Sequence, residues 1–234
     1  MLITGFPAAA FGTNCYIVAP EAGAECVVVD PGVEVVDQLD ELLDQHRLQP
    51  VAVLLTHGHL DHTFSVTPVC GARGIPAYLH PADDGMLADP MSGISPDTRA
   101  LFGGRLEWSE PDDVRALGDG ERLTIAGLEI TVDHAPGHTG GSVLFRLPHE
   151  QAPEVCLSGD VLFAGSIGRT DLPGGDHARM LHSLATKILP LPDEVVVLPG
   201  HGPRTTIGRE RATNPFLQDL GTDGADLPST RRGL

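Results

Sequence analysis

Short runs of Val, Ile and Leu, bounded by Gly, Pro and Asp, recur along this chain. They predict strands at about 13–19, 25–29, 51–55, 76–79, 122–125, 128–134, 142–147, 154–158 and 194–198. Asp119-Gly120 and Ala126-Gly127 fit hairpin turns. Between residues 33 and 47 the period changes. Val35, Val36, Leu39, Leu42 and Leu43 recur at helical spacing while Glu34, Asp37, Asp40, Glu41 and Asp44 fill the other face, so an amphipathic helix lying on a sheet is expected. A second helix should start at Thr67-Pro68, with Thr as cap and Pro in the first position, and end near Gly71 or Gly74. A third is expected over 176–189, capped by Asp176 and burying Met180, Leu181, Leu184, Ile188 and Leu189, and a last one over about 206–218.

Residues 84–115, rich in Gly, Pro and Asp, read as irregular, either a loop or lid bordering a site or a plain surface excursion. The segment 221–234 has too little apolar content for a packed element and is expected to be mobile, which leaves one domain over 1–220.

Four of the apolar runs end in turns that deliver metal-ligand residue types. Val51-Ala52-Val53-Leu54-Leu55 opens into Thr56-His57-Gly58-His59-Leu60-Asp61-His62, with four such residues in six positions. Ile130-Thr131-Val132 leads to Pro136-Gly137-His138, Val155-Cys156-Leu157 to Ser158-Gly159-Asp160, and Val195-Val196-Val197-Leu198 to Pro199-Gly200-His201. The repetition points to one metal site at one edge of a β-rich scaffold, and the two Pro-Gly-His turns suggest two related halves contributing corresponding corners. An extended segment puts His57 and His59 on the same side, and the turn that follows can aim Asp61 and His62 at a neighbouring position. Imidazole and carboxylate hold zinc, iron or manganese while leaving coordination positions open; a structural zinc site would show thiolates. The four cysteines, Cys15, Cys26, Cys70 and Cys156, form no Cys-x-x-Cys pair, and Cys26 and Cys156 sit in apolar runs as buried free thiols. Among the other histidines, His134 reads as structural and His80 as a strand end or turn cap, while His46, His149, His177 and His182 read as surface or helix-face residues.

With 234 residues and 41% hydrophobic content, the chain can bury a substantial core. A formal net charge of −17 argues against a phosphate-backbone binding surface, so no nucleic-acid partner is expected. Met1-Leu2-Ile3-Thr4-Gly5-Phe6-Pro7 shows neither a basic n-region nor a long apolar stretch, so no membrane association and a cytoplasmic location are the expectation. Nothing in the sequence specifies an oligomeric state.

Taken together, Val29-Asp30-Pro31-Gly32, the His57 to His62 cluster, Ala135-Pro136-Gly137-His138-Thr139, Ser158-Gly159-Asp160, Gly168-Arg169-Thr170-Asp171 and Pro199-Gly200-His201-Gly202 resemble the metallo-β-lactamase superfamily, and within it compact glyoxalase II-like (hydroxyacylglutathione hydrolase-like) hydrolases. The resemblance runs over most of residues 1–218. It implies an α+β, four-layer αβ/βα sandwich with a site for two divalent metal ions, zinc first, with iron or manganese as alternatives. His57, His59 and His138 would hold one ion, Asp61, His62 and His201 the other, and Asp160 would bridge both; Asp30 would brace the ligand loop from behind. The implied reaction is hydrolysis of a small 2-hydroxyacyl thioester by a metal-bound hydroxide, with Asp61 as catalytic residue and Arg169 as the contact to the thiol carrier. An Arg169–Asp171 ion pair that merely stiffens the loop is an equal reading of that segment. The chain stops short of the helical C-terminal domain of larger glyoxalases and of its glutathione contacts, so the carrier and acyl group stay open. The rival activities are a mononuclear iron persulfide dioxygenase and a lactone or β-lactam hydrolase.

Overall fold

The computed structural model describes residues 1–95, 99, 108–149 and 151–222. Among these, β1 (Leu2–Pro7), β2 (Asn14–Ala19), β3 (Glu25–Val29), β4 (Gln49–Leu54), β5 (Ala77–Leu79) and β6 (Val114–Ala116) form one six-stranded sheet in sequence order. The first three strands pair antiparallel and the rest parallel. A second six-stranded sheet runs in the order β12 (Thr205–Thr206), β11 (Val196–Pro199), β10 (Val155–Gly159), β9 (Val143–Leu147), β8 (Leu128–His134) and β7 (Arg122–Ile125), with only β10 and β11 parallel.

Side-chain alternation sorts these strands into layers. Along β3, Val27 and Val29 pack into the core between the sheets with Phe145 and Leu157, while Cys26 and Val28 face outward. That outward face packs on Leu39 and Leu43 of α1 (Val36–His46) and Val69 of α3 (Val66–Arg73); α2 is the single turn Leu60–Thr63 between them. In the second sheet, Leu144, Cys156 and Val197 face away from the first sheet onto Met180 of α5 (His177–Ser183, continued by a wider turn over Leu184–Ile188), Ile207 of α6 (Ile207–Thr213) and Leu217 of α7 (Pro215–Thr222). The short α4 spans Asp84–Ala88. The result is a helix–sheet–sheet–helix sandwich, and because the central strands are covered on both faces they read as continuous apolar runs.

Several expectations need correction. The first helix begins three residues later than the pattern, at Val36, because Glu34 sits at φ 57°. The second begins at Val66, which puts Pro68 in the third helical position; Ser65 precedes it, and its hydroxyl donates to the Gly32 carbonyl at 2.6 Å instead of capping the helix. The last helix is two, broken at Asn214, which the following Pro215 holds extended. Asp119-Gly120 closes no hairpin: the strands on either side, β6 and β7, belong to different sheets. Ala126-Gly127 does close one, with φ 54° and 69° at its two residues. The described part of 84–115 holds α4, a tight turn at Pro90–Gly93 and β6 rather than only irregular chain. β1, β6 and β12 were not anticipated. The tail beyond 222 lies outside the described residues. All four cysteines are buried and free, and among the described residues no helix is long and apolar enough to cross a membrane.

Candidate metal centre

The four expected strands, β4, β8, β10 and β11, all deliver their turns to one place. Past β4 the chain bends at Thr56 and His57, is extended at His59 (φ −66°, ψ 143°) and then turns into α2, which carries Asp61 and His62. His138 follows β8 through Gly137, Asp160 follows β10 through Gly159, and His201 follows β11. Both Pro-Gly-His turns thus come from the second sheet, not one from each half, and face the His57 to His62 cluster from the first.

The ligand-type atoms form three overlapping groups, each with its atoms within 4.8 Å of one another: His57, His59 and His138; His57, His62 and Asp160; Asp61, His62 and His201. Asp160 lies centrally. Its carboxylate oxygens stand 3.4 Å from His62 Nε2, 3.5 Å from His138 Nε2 and 3.6 Å from His201 Nε2.

Hydrogen bonds from behind fix which nitrogen each ring offers. Thr56 Oγ1 donates to Asp30 Oδ2 at 2.7 Å and so accepts from His57 Nδ1 at 3.0 Å. His62 Nδ1 donates to Asp30 Oδ2 at 3.0 Å, and His138 Nδ1 to the Arg169 carbonyl at 2.7 Å. Each of these three rings is thereby held with Nε2 aimed inward. His59 instead turns Nδ1 inward, 2.8 Å from His138 Nε2. His57 Nε2, His59 Nε2 and Asp160 Oδ1 are buried with no hydrogen-bond partner among the described residues. Buried polar atoms are rarely left so, and His57 Nε2 and Asp160 Oδ1, converging on the cluster without donors, are what a cation satisfies. The residues present fit a divalent pair.

Supporting contacts hold the frame. Thr13 Oγ1 donates to Asp61 Oδ2 at 2.9 Å, and Asn14 Nδ2 and Tyr16 Oη donate to the Pro199 carbonyl beside His201. Asp83, absent from the expectations, is fully buried and accepts from Gly58 N, Thr139 Oγ1 and Gly141 N. His80 caps its turn as expected, through Ala82 N, and stacks on His134 at 3.9 Å.

Burial, reinforced by His62 and His138, holds the His57 pKa well below the usual histidine value, and burial with His138 beside it pushes His59 down to about 3. For His62 burial also lowers the pKa, but the carboxylates of Asp160, Asp61 and Asp30 outweigh it and hold it well above 6.5. His201 is raised in the same way, against burial, by its bond to Asp61 and by Asp160. Burial would raise Asp61 and Asp160, yet His62 and its neighbours keep both below the usual carboxylate range. Metal binding needs neutral imidazole. His57 and His59 are neutral before any ion arrives, whereas at His62 and His201, whose values are raised, an ion competes with protons from higher pH. As pH falls through the raised values of His62 and His201, affinity at the Asp61–His62–His201 group should therefore fall first, while His57 and His59 in the other group take up no proton there. Dialysis at stepped pH followed by elemental analysis should show loss of one ion per chain before the second; simultaneous loss would contradict this.

Beside the cluster lies a cleft of about 220 Å³ walled by Phe11, Leu60, Ile94 and Leu172. Arg169 is at its rim, paired with Asp171 through Nε–Oδ1 and Nη2–Oδ2 contacts of 2.7 Å, both side chains largely exposed. The ion pair and the cleft position are thus both present.

The model of the metallo-beta-lactamase superfamily matches residues 8–201. Hydroxyacylglutathione hydrolase GloC of Haemophilus influenzae is 36% identical over 219 residues, 93% of this chain and 98% of that protein. The crystal structure of BLEG-1 B3 metallo-beta-lactamase superposes with a TM-score of 0.81 at 40% identity, covering 92% of this chain and 99% of that one. TTHA1623 in a di-iron-bound form gives 0.76 at 41% identity, covering 92% and 100%.

Proposed function

This chain belongs to the metallo-beta-lactamase superfamily, and from that premise we propose that it is a dinuclear metallo-hydrolase of the glyoxalase II type, cleaving small 2-hydroxyacyl thioesters. The observation that carries the reading is the convergence of His57, His59, His138, Asp61, His62 and His201 into two adjoining groups with Asp160 between them. His57, His59 and His138 would hold one ion, Asp61, His62 and His201 the other, and Asp160 both. Ions held there would supply a bound water of lowered pKa as nucleophile and would polarise the scissile carbonyl. The near full-length likeness to a hydroxyacylglutathione hydrolase favours a thioester.

The chain's own residues supply the rest. Asp61, with its depressed pKa and its bond from Thr13, stays a carboxylate at neutral pH and can orient the attacking water by accepting its hydrogen bond. The apolar cleft suits a short acyl group and is smaller than sites that enclose drug-sized ligands, so the thiol carrier would lie along the rim. A thiolate with a pKa of about 8.5 leaves without a dedicated general acid. Arg169 at that rim would contact the carrier; being exposed and already paired, it should contribute modestly. Arg169→Ala is expected to raise KM by no more than about fivefold with kcat held. A larger kcat loss would place it in the reaction itself.

A second reading, β-lactam hydrolysis, is favoured by the likeness to BLEG-1. Thiol release from lactoyl thioesters, β-lactam opening and oxygen uptake with glutathione persulfide, measured side by side on zinc- and iron-loaded protein, decide between them. Thiol release is the expected dominant activity. Lactam opening without thiol release would support the second reading, and iron-dependent oxygen uptake alone would replace both with a dioxygenase.

A further inference from the structure

Behind the cluster, the buried carboxylate of Asp83 reaches neighbours of only three of the seven side chains, and we infer that Asp83 is the positioning residue for the ion held by His57, His59 and His138 and not for the ion held by Asp61, His62 and His201. The inference rests on the two-ion reading above. Asp83 ends the tight turn Pro81–Asp83 beyond β5 and is fully buried. Its Oδ2 accepts from Gly58 N at 2.8 Å and Thr139 Oγ1 at 2.7 Å, and its Oδ1 from Gly141 N at 2.7 Å. Gly58 separates His57 from His59, and Thr139 follows His138. One carboxylate therefore ties the first-sheet loop bearing two of the histidines to the second-sheet loop bearing the third.

Both backbones come close to do this. A Cβ on Gly58 would stand 3.0 Å from Asp83 Cβ, and one on Gly141 2.6 Å from Asp83 Cγ. Asp30 is built differently: it touches His62 directly and His57 through Thr56, so its influence spans both groups.

The charge-bearing, acceptor-only character of Asp83 is what the arrangement requires. Its two oxygens face backbone N–H groups, so in Asp83→Asn the amide NH2 must oppose either Gly58 N or Gly141 N. A buried donor is left unpaired in either orientation, and the two loops part. Outer partners of this kind change metal affinity by about 10- to 100-fold.

The test is zinc titration against a chromophoric chelator in two backgrounds: His201→Ala, which leaves the His57–His59–His138 group, and His138→Ala, which leaves the other. Asp83→Asn should weaken zinc binding at least about tenfold in the first background and leave the second unchanged. Thr139→Val, which keeps the carboxylate and removes one donor, should give a smaller loss in the first background only; it carries the test if Asp83→Asn fails to fold, which thermal melting of the zinc-free forms reports. Equal weakening in both backgrounds, or in neither, would overturn the assignment, as would a parent protein that takes up one zinc only. The titration reads no turnover, so absence of thioesterase activity with these affinities would sink the substrate reading and leave Asp83's role intact.

Discussion

Asp160→Ala should leave a folded protein with fewer than two metal ions per chain and kcat/KM reduced by about 10³-fold or more. The carboxylate sits 3.4–3.6 Å from His62, His138 and His201, so its removal takes a donor from both groups at once. It also removes the anion that raises His62 and His201, leaving imidazoles that resist one another's charge. Loss of the several kcal/mol a metal contributes to charge stabilisation corresponds to the stated rate loss. Retention of two ions in this variant, by elemental analysis, would reject a shared ligand.

Gly200→Ala should be nearly as damaging, although it changes no ligand. A methyl there would penetrate Asp160 Oδ1 and stand 2.6 Å from His62 Cε1. His62 is pinned by Asp30 and the Gly200 backbone by hydrogen bonds from its N–H to the Gly159 carbonyl and from Asn14 N to its own carbonyl, so the methyl is accommodated only by displacing the Asp160 carboxylate from the centre of the cluster. The variant should fold, since the strain is confined to the strand ends, but bind metal at least about tenfold more weakly. Parent-like zinc titration would mean that the β10–β11 ends relax more than tightly packed interiors allow.

The central strands were legible because burial on both faces writes apolar runs directly into the chain, as in β3 and β10, while β7 and β8 were legible from alternating apolar positions on one face. β1, β6 and β12 are edge strands with little buried side chain, and they leave no such pattern. All seven clustered residues stood out because His and Asp follow apolar runs at short spacing, several behind a turn glycine, and the family resemblance bound them together. Asp83 did not, because its partners lie 25, 56 and 58 positions away and its neighbourhood reads as loop. Asp119-Gly120 misled for the opposite reason: a sound turn signal, with Gly120 at φ 73°, says nothing about which sheets the flanking strands join.

The two sheets divide the clustered residues unevenly along the chain: His57, His59, Asp61 and His62 come from the first, and His138, Asp160 and His201 from the second. His201, just past β11, is the last of them to be synthesised, and a strand pairing with the far end of the chain, Thr13 against His201, secures its turn. Synthesis runs from the N-terminus, so the four early residues emerge before the three that complete the groups, and the full set of ligand-type atoms exists only once the second sheet has closed on the first.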